Sequence, residues 1–125
     1  MILDTTFLSD LVHEQEVGQR GPASRFLARH RAERLVITVV TVGEIAAMYA
    51  DTQDARQVLS HYRQLRLTPE VAFTAAVVDR ELISTGERLG ENDNWIAGFC
   101  RYYGQPVVSR DAAFDRVRGL RRLAY

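Results

Sequence analysis

Apolar residues recur along the chain in two periods, one near two and one near 3.6, and the switches between them mark the elements. "MIL" at the start reads as a short buried strand. "TTFLSDLVHE" follows with Phe7, Leu8, Leu11 and Val12 at helical spacing. "GQRGP" breaks the pattern, and "ASRFLARHRAE" reads as a basic helix. "RLVITVV" is rich in β-branched residues and predicts a second strand. "TVGEIAAMYA" predicts a helix, and Asp51 starts another that runs to about Gln64. "LRLT" reads as a third short strand. Pro69 then opens a long helix to about Thr85, and "GERLGEN" is a turn. A helix is expected over 92–103. "GQP" ends it, "VVS" is a strand, and "RLA" near the end is another.

Strands alternating with helices predict an α/β fold with a parallel sheet covered on both faces. Nothing reads as a linker or repeat, so residues 1–125 form one domain. No apolar run approaches the ~20 residues of a membrane span. In open parallel sheets the working site lies at the carboxyl ends of the strands.

Four acids fall at such boundaries. Asp4 directly follows "MIL", and Asp111 follows "VVS" by one residue. Glu44 is expected in the first turn of the helix after "RLVITVV", and Asp93 in the first turn of its own helix. Each has a plain structural explanation. Asp4 suits an N-cap with Leu3 and Leu8 as its hydrophobic staple, and "TVGE" matches a capping box of Thr41 and Glu44. Asp93 would favour the helix dipole, and Asp111 would cap "AAFD". Together the four ask for more. Glu44 is the only charge in its segment, and Asp93 shares a helix face with Ile96, Ala97 and Cys100. Carboxylates aimed inward at one sheet edge repel one another unless a cation joins them. Hard cations such as Mg²⁺ and Mn²⁺ prefer such oxygens.

Charge sharpens this picture. The chain has 16 basic and 16 acidic residues, and every basic one is Arg. A nucleic-acid partner would therefore meet a local patch, a dimer groove or metal ions, because the chain is not basic overall. Arg suits bidentate contact with phosphate. The single cysteine excludes an internal disulfide and fits a reducing cytosol. "MILD" lacks the basic start of a secretory signal. No Walker or dinucleotide-binding glycine motif is present.

"MILDTTFLSDL", "TVGEIA", "GERLGENDNWIAG" and "VVSRDAAFDRVRGLRRLAY" resemble the successive motifs of PIN-domain ribonucleases, most of all the VapC-type toxins of bacterial toxin–antitoxin pairs. The resemblance runs the length of the chain. Its specific part is the order Asp, Glu, Asp, Asp with "ND-WIA" and the tail "F-RV-GL". Gly98 departs from the usual second Ala of "IAA".

The resemblance implies a PIN-like three-layer α/β/α sandwich with a mostly parallel, short-stranded sheet. It makes Asp4, Glu44, Asp93 and Asp111 the metal-binding acids, for one or two Mg²⁺ or Mn²⁺ ions. Thr6 and Ser109 would support them, and Arg110 would reach substrate phosphate. Asp115 matches an extra acid less well and reads as a solvated helix residue. The implied activity is hydrolysis of RNA, leaving a 5′-phosphate and a 3′-hydroxyl. The implied partners are a VapB-type antitoxin and a second copy of the chain, in a bacterial cytoplasm. Phe7, Leu8, Leu11 and Val12 are either core or part of an antitoxin groove.

The remaining chemistry-bearing residues read as structure. His13, His30 and His61 are placed on helices away from strand ends, where no general base is expected. Cys100 reads as core. Trp95 and Tyr103 read as core or dimer packing. Arg25, Arg29, Arg31 and Arg34, and the tail Arg116, Arg118, Arg121 and Arg122, are solvated faces or RNA contacts. A PIN-like binding module without catalysis is the competing reading, although such modules lose acids that this chain keeps. A metal phosphoesterase acting on DNA is a third.

Overall fold

The computed structural model describes residues 1–125. Five short strands form one sheet: β1 (Ile2–Leu3), β2 (Val36–Thr38), β3 (Arg63–Leu65), β4 (Val107–Val108) and β5 (Arg122–Leu123). Their order is β3-β2-β1-β4-β5 and every pairing is parallel. Six helices surround it: α1 (Thr5–Glu16), α2 (Pro22–Arg29), α3 (Val39–Ala46), α4 (Thr52–Leu59), α5 (Pro69–Thr85) and α6 (Glu91–Tyr103). A 3₁₀ turn spans Ala112–Arg116. No helix is long and apolar enough to cross a membrane.

The strand period of two builds both cores. Ile2, Val36 and Val107 are aligned neighbours on one face, where they join Val71, Val78 and Leu82 of α5 and Ile96, Phe99 and Cys100 of α6. Leu3, Ile37 and Val108 turn to the other face, against Phe7, Leu8 and Leu11 of α1, Phe26 of α2, Ile45 of α3 and Ala55 and Leu59 of α4. The result is the expected α/β/α sandwich. A sheet buried on both faces explains why its central strands are continuous apolar runs.

Several boundaries differ from the sequence reading, each for a local reason. "RLVITVV" is strand only over Val36–Thr38, because Thr38 caps α3 and its hydroxyl accepts from the Thr41 amide at 3.2 Å. Val39 and Val40 thus begin the helix, and Glu44 lies in its second turn. Thr41 and Glu44 form no capping box; the cap is Thr38. The third strand is Arg63–Leu65, not "LRLT", since Thr68 caps α5 by accepting from the Val71 amide. α4 stops at Leu59, short of Gln64, and α2 stops at Arg29. His30 and His61 therefore lie just beyond helix ends, and only His13 is within a helix.

Helices α5 and α6 pack at very short range. A Cβ on Gly98 would stand 2.5 Å from the Ala75 Cβ and 2.9 Å from its Cα. This contact fixes α6, which carries Asp93, against α5.

Candidate functional site

Parallel strands send Asp4, Ser109 and Asp111 out of one sheet edge, and α3 and α6 bring Glu44 and Asp93 to the same place. Asp4 occupies the N-cap position of α1 but makes no side-chain cap bond. The residue is 2% exposed, and its Oδ2 accepts from the hydroxyls of Thr6 and Ser109, each at 2.8 Å. Those two hydroxyls are 3.2 Å apart. Ser109 Oγ also accepts from the Asp111 amide at 3.0 Å, which ties the first acid to the last. Thr6 and Ser109 thus both bond the Asp4 carboxylate.

Glu44 is held by both oxygens. The Thr5 hydroxyl donates to Oε2, and Asn92 Nδ2 donates to Oε1 at 2.9 Å. Sequence reasoning missed both donors. Their signal was adjacency: Thr5 follows Asp4 and Asn92 precedes Asp93. Asp111 caps the 3₁₀ turn by accepting from the Ala113 amide at 2.8 Å, so its structural explanation holds beside any other role.

Asp93 has no hydrogen-bonding or ionic partner. Its carboxyl is pushed up to about 6, first by burial and then by the charges of Asp4, Asp111 and Glu44. Those three causes are the other acids of the predicted set, which places all four in one electrostatic neighbourhood. No three acidic, His or Cys side chains already stand in a closed ligating arrangement. The donor chemistry fits a hard divalent cation, since it is all carboxylate and its repulsion is relieved by positive charge. The side-chain arrangement is open, with Glu44 occupied by Thr5 and Asn92.

Arg110 adjoins Asp111, is largely exposed, and pairs with Asp10 at 3.1 Å. Asp115 is exposed and takes a two-pronged contact from Arg122 at 2.9 and 2.8 Å, outside the acidic cluster. Arg25, Arg29, Arg31, Arg34, Arg116, Arg118 and Arg121 are all exposed. Cys100 is buried, and burial pushes its thiol well above the ordinary range, as suits a core residue. Trp95 and Tyr103 are not core. Trp95 is half-buried in an open groove of about 590 Å³ between α5 and α6, and Tyr103 is exposed. Phe7, Leu8 and Leu11 are core, yet Leu8 and Leu11 also line a groove of about 420 Å³ with Val12, Leu27, Val58 and Tyr62.

Residues 1–120 match the PIN domain family. No curated protein sequence matches the chain. Among solved structures, the fold is similar to VapBC2 from Rickettsia felis bound to a promoter DNA fragment, with a TM-score of 0.83, 15% identity, and 99% of this chain and 97% of that one covered. DNA-bound VapBC from Salmonella typhimurium gives 0.77 at 22% identity over 98% and 96% of the two chains. VapBC-5 from Mycobacterium tuberculosis, of the VapBC family of toxin–antitoxin systems, gives 0.68 at 23% over 98% and 94%. With its whole length in this fold, its acids gathered at one sheet edge and the family match over nearly every residue, the chain belongs to the PIN domain family.

Proposed function

We propose that the chain is a metal-dependent endoribonuclease toxin, held in check by a cognate VapB-type antitoxin. The observation that carries the reading is the repulsion felt by Asp93 from Asp4, Asp111 and Glu44 in a partly buried site without a cation side chain among them. An apolar side chain would be more stable there, so the charges are kept for chemistry.

Asp4, Glu44, Asp93 and Asp111 would hold one or two Mg²⁺ or Mn²⁺ ions. When bound, such ions supply a low-pKa water and stabilise charge on the attacking and leaving oxygens of a phosphodiester. The chain's own part is positioning. Thr6 and Ser109 fix the Asp4 carboxylate, and Thr5 and Asn92 fix that of Glu44. Metal-dependent hydrolysis of this kind needs no 2′-hydroxyl nucleophile, so the products would carry a 5′-phosphate and a 3′-hydroxyl. The antitoxin would lie in the apolar groove of Leu8, Leu11, Val12, Leu27, Val58 and Tyr62. A second copy of the chain would cover Phe73 and Val77, which stand 74% and 50% exposed one turn apart on α5.

The test uses the full chain free of antitoxin, incubated with total bacterial RNA and with DNA, with Mn²⁺ or EDTA, beside Asp93→Asn. Discrete RNA fragments that need both the metal and Asp93 support the reading. Cleavage of DNA with RNA intact supports a DNA phosphoesterase instead. A folded chain that binds the metal and cleaves neither is a binding module.

A further inference from the structure

We propose that Asp10 and Tyr125 are positioning residues that hold Arg110 at the rim of the acidic site, where its free edge takes a phosphate of the nucleic-acid strand. This rests on the nuclease reading above and adds a substrate-binding device to it. Three observations converge. First, one oxygen meets two partners: Asp10 Oδ2 is ion-paired with Arg110 Nη1 at 3.1 Å and accepts from the Tyr125 hydroxyl at 2.7 Å. Secondly, the anchor is packed on the core. The Tyr125 ring packs edge-on against Phe7 at 4.9 Å, and Phe7 is fully buried. Thirdly, the placement is at the site. Arg110 lies between Ser109, which donates to Asp4, and Asp111. Asp10 is one helical turn beyond Thr6, so α1 presents both the support of Asp4 and the anchor of Arg110 on one face.

The arrangement suits a phosphate contact. A guanidinium has five N–H donors in a planar fork, and one carboxylate oxygen on Nη1 leaves the others free. The Arg110 side chain is 64% exposed against 24% for Asp10, so the free edge faces solvent while the held edge does not. An unanchored Arg must lose its rotamer freedom when the strand binds; an anchored one has lost it already. Next to four acids, an anchored cation also gives the strand an attractive contact where the field otherwise repels it.

The experiment measures binding of a short fluorescent single-stranded RNA to the full chain by anisotropy in EDTA, across a salt series. It compares wild type, Arg110→Ala, Asp10→Asn, Tyr125→Phe and the Asp10→Asn/Arg110→Ala double variant, with melting temperatures alongside. Steady-state cleavage is run in parallel. Arg110→Ala is expected to weaken binding about 5–10-fold and to lower the salt slope by about 0.7. Asp10→Asn should give most of that loss, acting on KM more than on kcat, and Tyr125→Phe a smaller one. In the Arg110→Ala background Asp10→Asn should have no further effect. A merely structural Asp10 would lower the melting temperature and act equally in both backgrounds, which would overturn the proposal. Unchanged binding in Arg110→Ala overturns it too. If the chain binds RNA with this pattern but cleaves none, the nuclease reading fails and the anchor stands. If wild type binds no RNA in EDTA, the anchor fails, and the parallel cleavage assay with metal decides the nuclease reading.

Discussion

Gly98 and Ala75 meet backbone to backbone: a methyl group on Gly98 would fall 2.5 Å from the Ala75 Cβ and 2.9 Å from its Cα. Glycine inside a helix ordinarily costs about 1 kcal/mol relative to alanine. Here the contact reverses that preference, because neither backbone can yield without moving α5 from α6. Gly98→Ala is expected to destabilise the chain by roughly 1–3 kcal/mol, the range of overpacked cores. Ala75→Gly in the same chain should recover only part of the loss, because the Ala75 Cα at 2.9 Å remains in the way. Thermal melts of the two single variants and the double one check this, and an additive double variant would refute the contact.

Glu14 caps a helix it does not belong to. Its Oε1 accepts from the Ala23 amide at 3.0 Å and its Oε2 from the Ser24 amide at 2.8 Å, at the start of α2, whose own N-cap Gly21 has no side chain to offer. Burial alone would raise its pKa, but the bonds from Ser24 and Ala23 hold it below the ordinary glutamate value. A depressed carboxyl adds stability above its unfolded pKa and loses it as pH falls through the folded one. Glu14→Ala should therefore cost roughly 1–2 kcal/mol near neutral pH, with the gap to wild type closing in acid. RNA cleavage per folded molecule should be unchanged. Urea melts at pH 7 and at pH 3 measure the difference.

The sheet edge and its acids were legible because both depend on order along the chain. Alternation of strand and helix implies a parallel sheet, and a residue just after a strand must leave it at the carboxyl end; Asp4 and Asp111 needed nothing more. Boundaries were less legible where propensity and capping compete. Val39 and Val40 have strand-forming side chains, yet the hydroxyl of Thr38 starts a helix on them. The partners of contacts across long stretches of sequence were not legible from periodicity. Tyr125 reaches Asp10 across the whole domain, and Asn92 reaches Glu44 from another helix. No periodicity encodes such pairs. Periodicity also left Trp95 open between core and dimer packing, because its helix is apolar on more than one side; it is half-buried at an open groove.

Thr5 and Asn92 together set where Glu44 points. Thr5→Val keeps the shape and removes the hydroxyl, and Asn92→Ala removes the amide. Supports of this kind are worth about 10–100-fold in metal affinity or activity. Each variant is expected to lower RNA cleavage within that range and to shift Mn²⁺ activation to higher concentration, with little change in melting temperature. A metal titration of cleavage rate is the measurement. If the activation midpoints match wild type, Glu44 needs no help from either residue.

Asp93 should trade stability for function in a way that depends on pH. Its carboxyl is raised to about 6, first by burial and then by Asp4, Asp111 and Glu44. In the unfolded chain it titrates near ~3.9. Between those values the folded chain keeps a proton that the unfolded chain has released, so stability of the metal-free protein falls as pH rises through this window and stays lower above it. Asp93→Asn removes the ionisation. It should make the metal-free chain more stable at pH 7 by roughly 1 kcal/mol, allowing for solvent around a partly exposed group. The gain should vanish near pH 4, where wild-type Asp93 is mostly protonated. The same variant should lose at least about 100-fold in RNA cleavage. Adding Mg²⁺ should raise the melting temperature of wild type, since a cation that binds only the folded site stabilises it, and raise that of the variant less. Thermal melts at pH 4 and pH 7, in EDTA and in Mg²⁺, separate these effects. A variant less stable than wild type at pH 7 in EDTA would show that Asp93 is held by a favourable contact rather than strained by its neighbours.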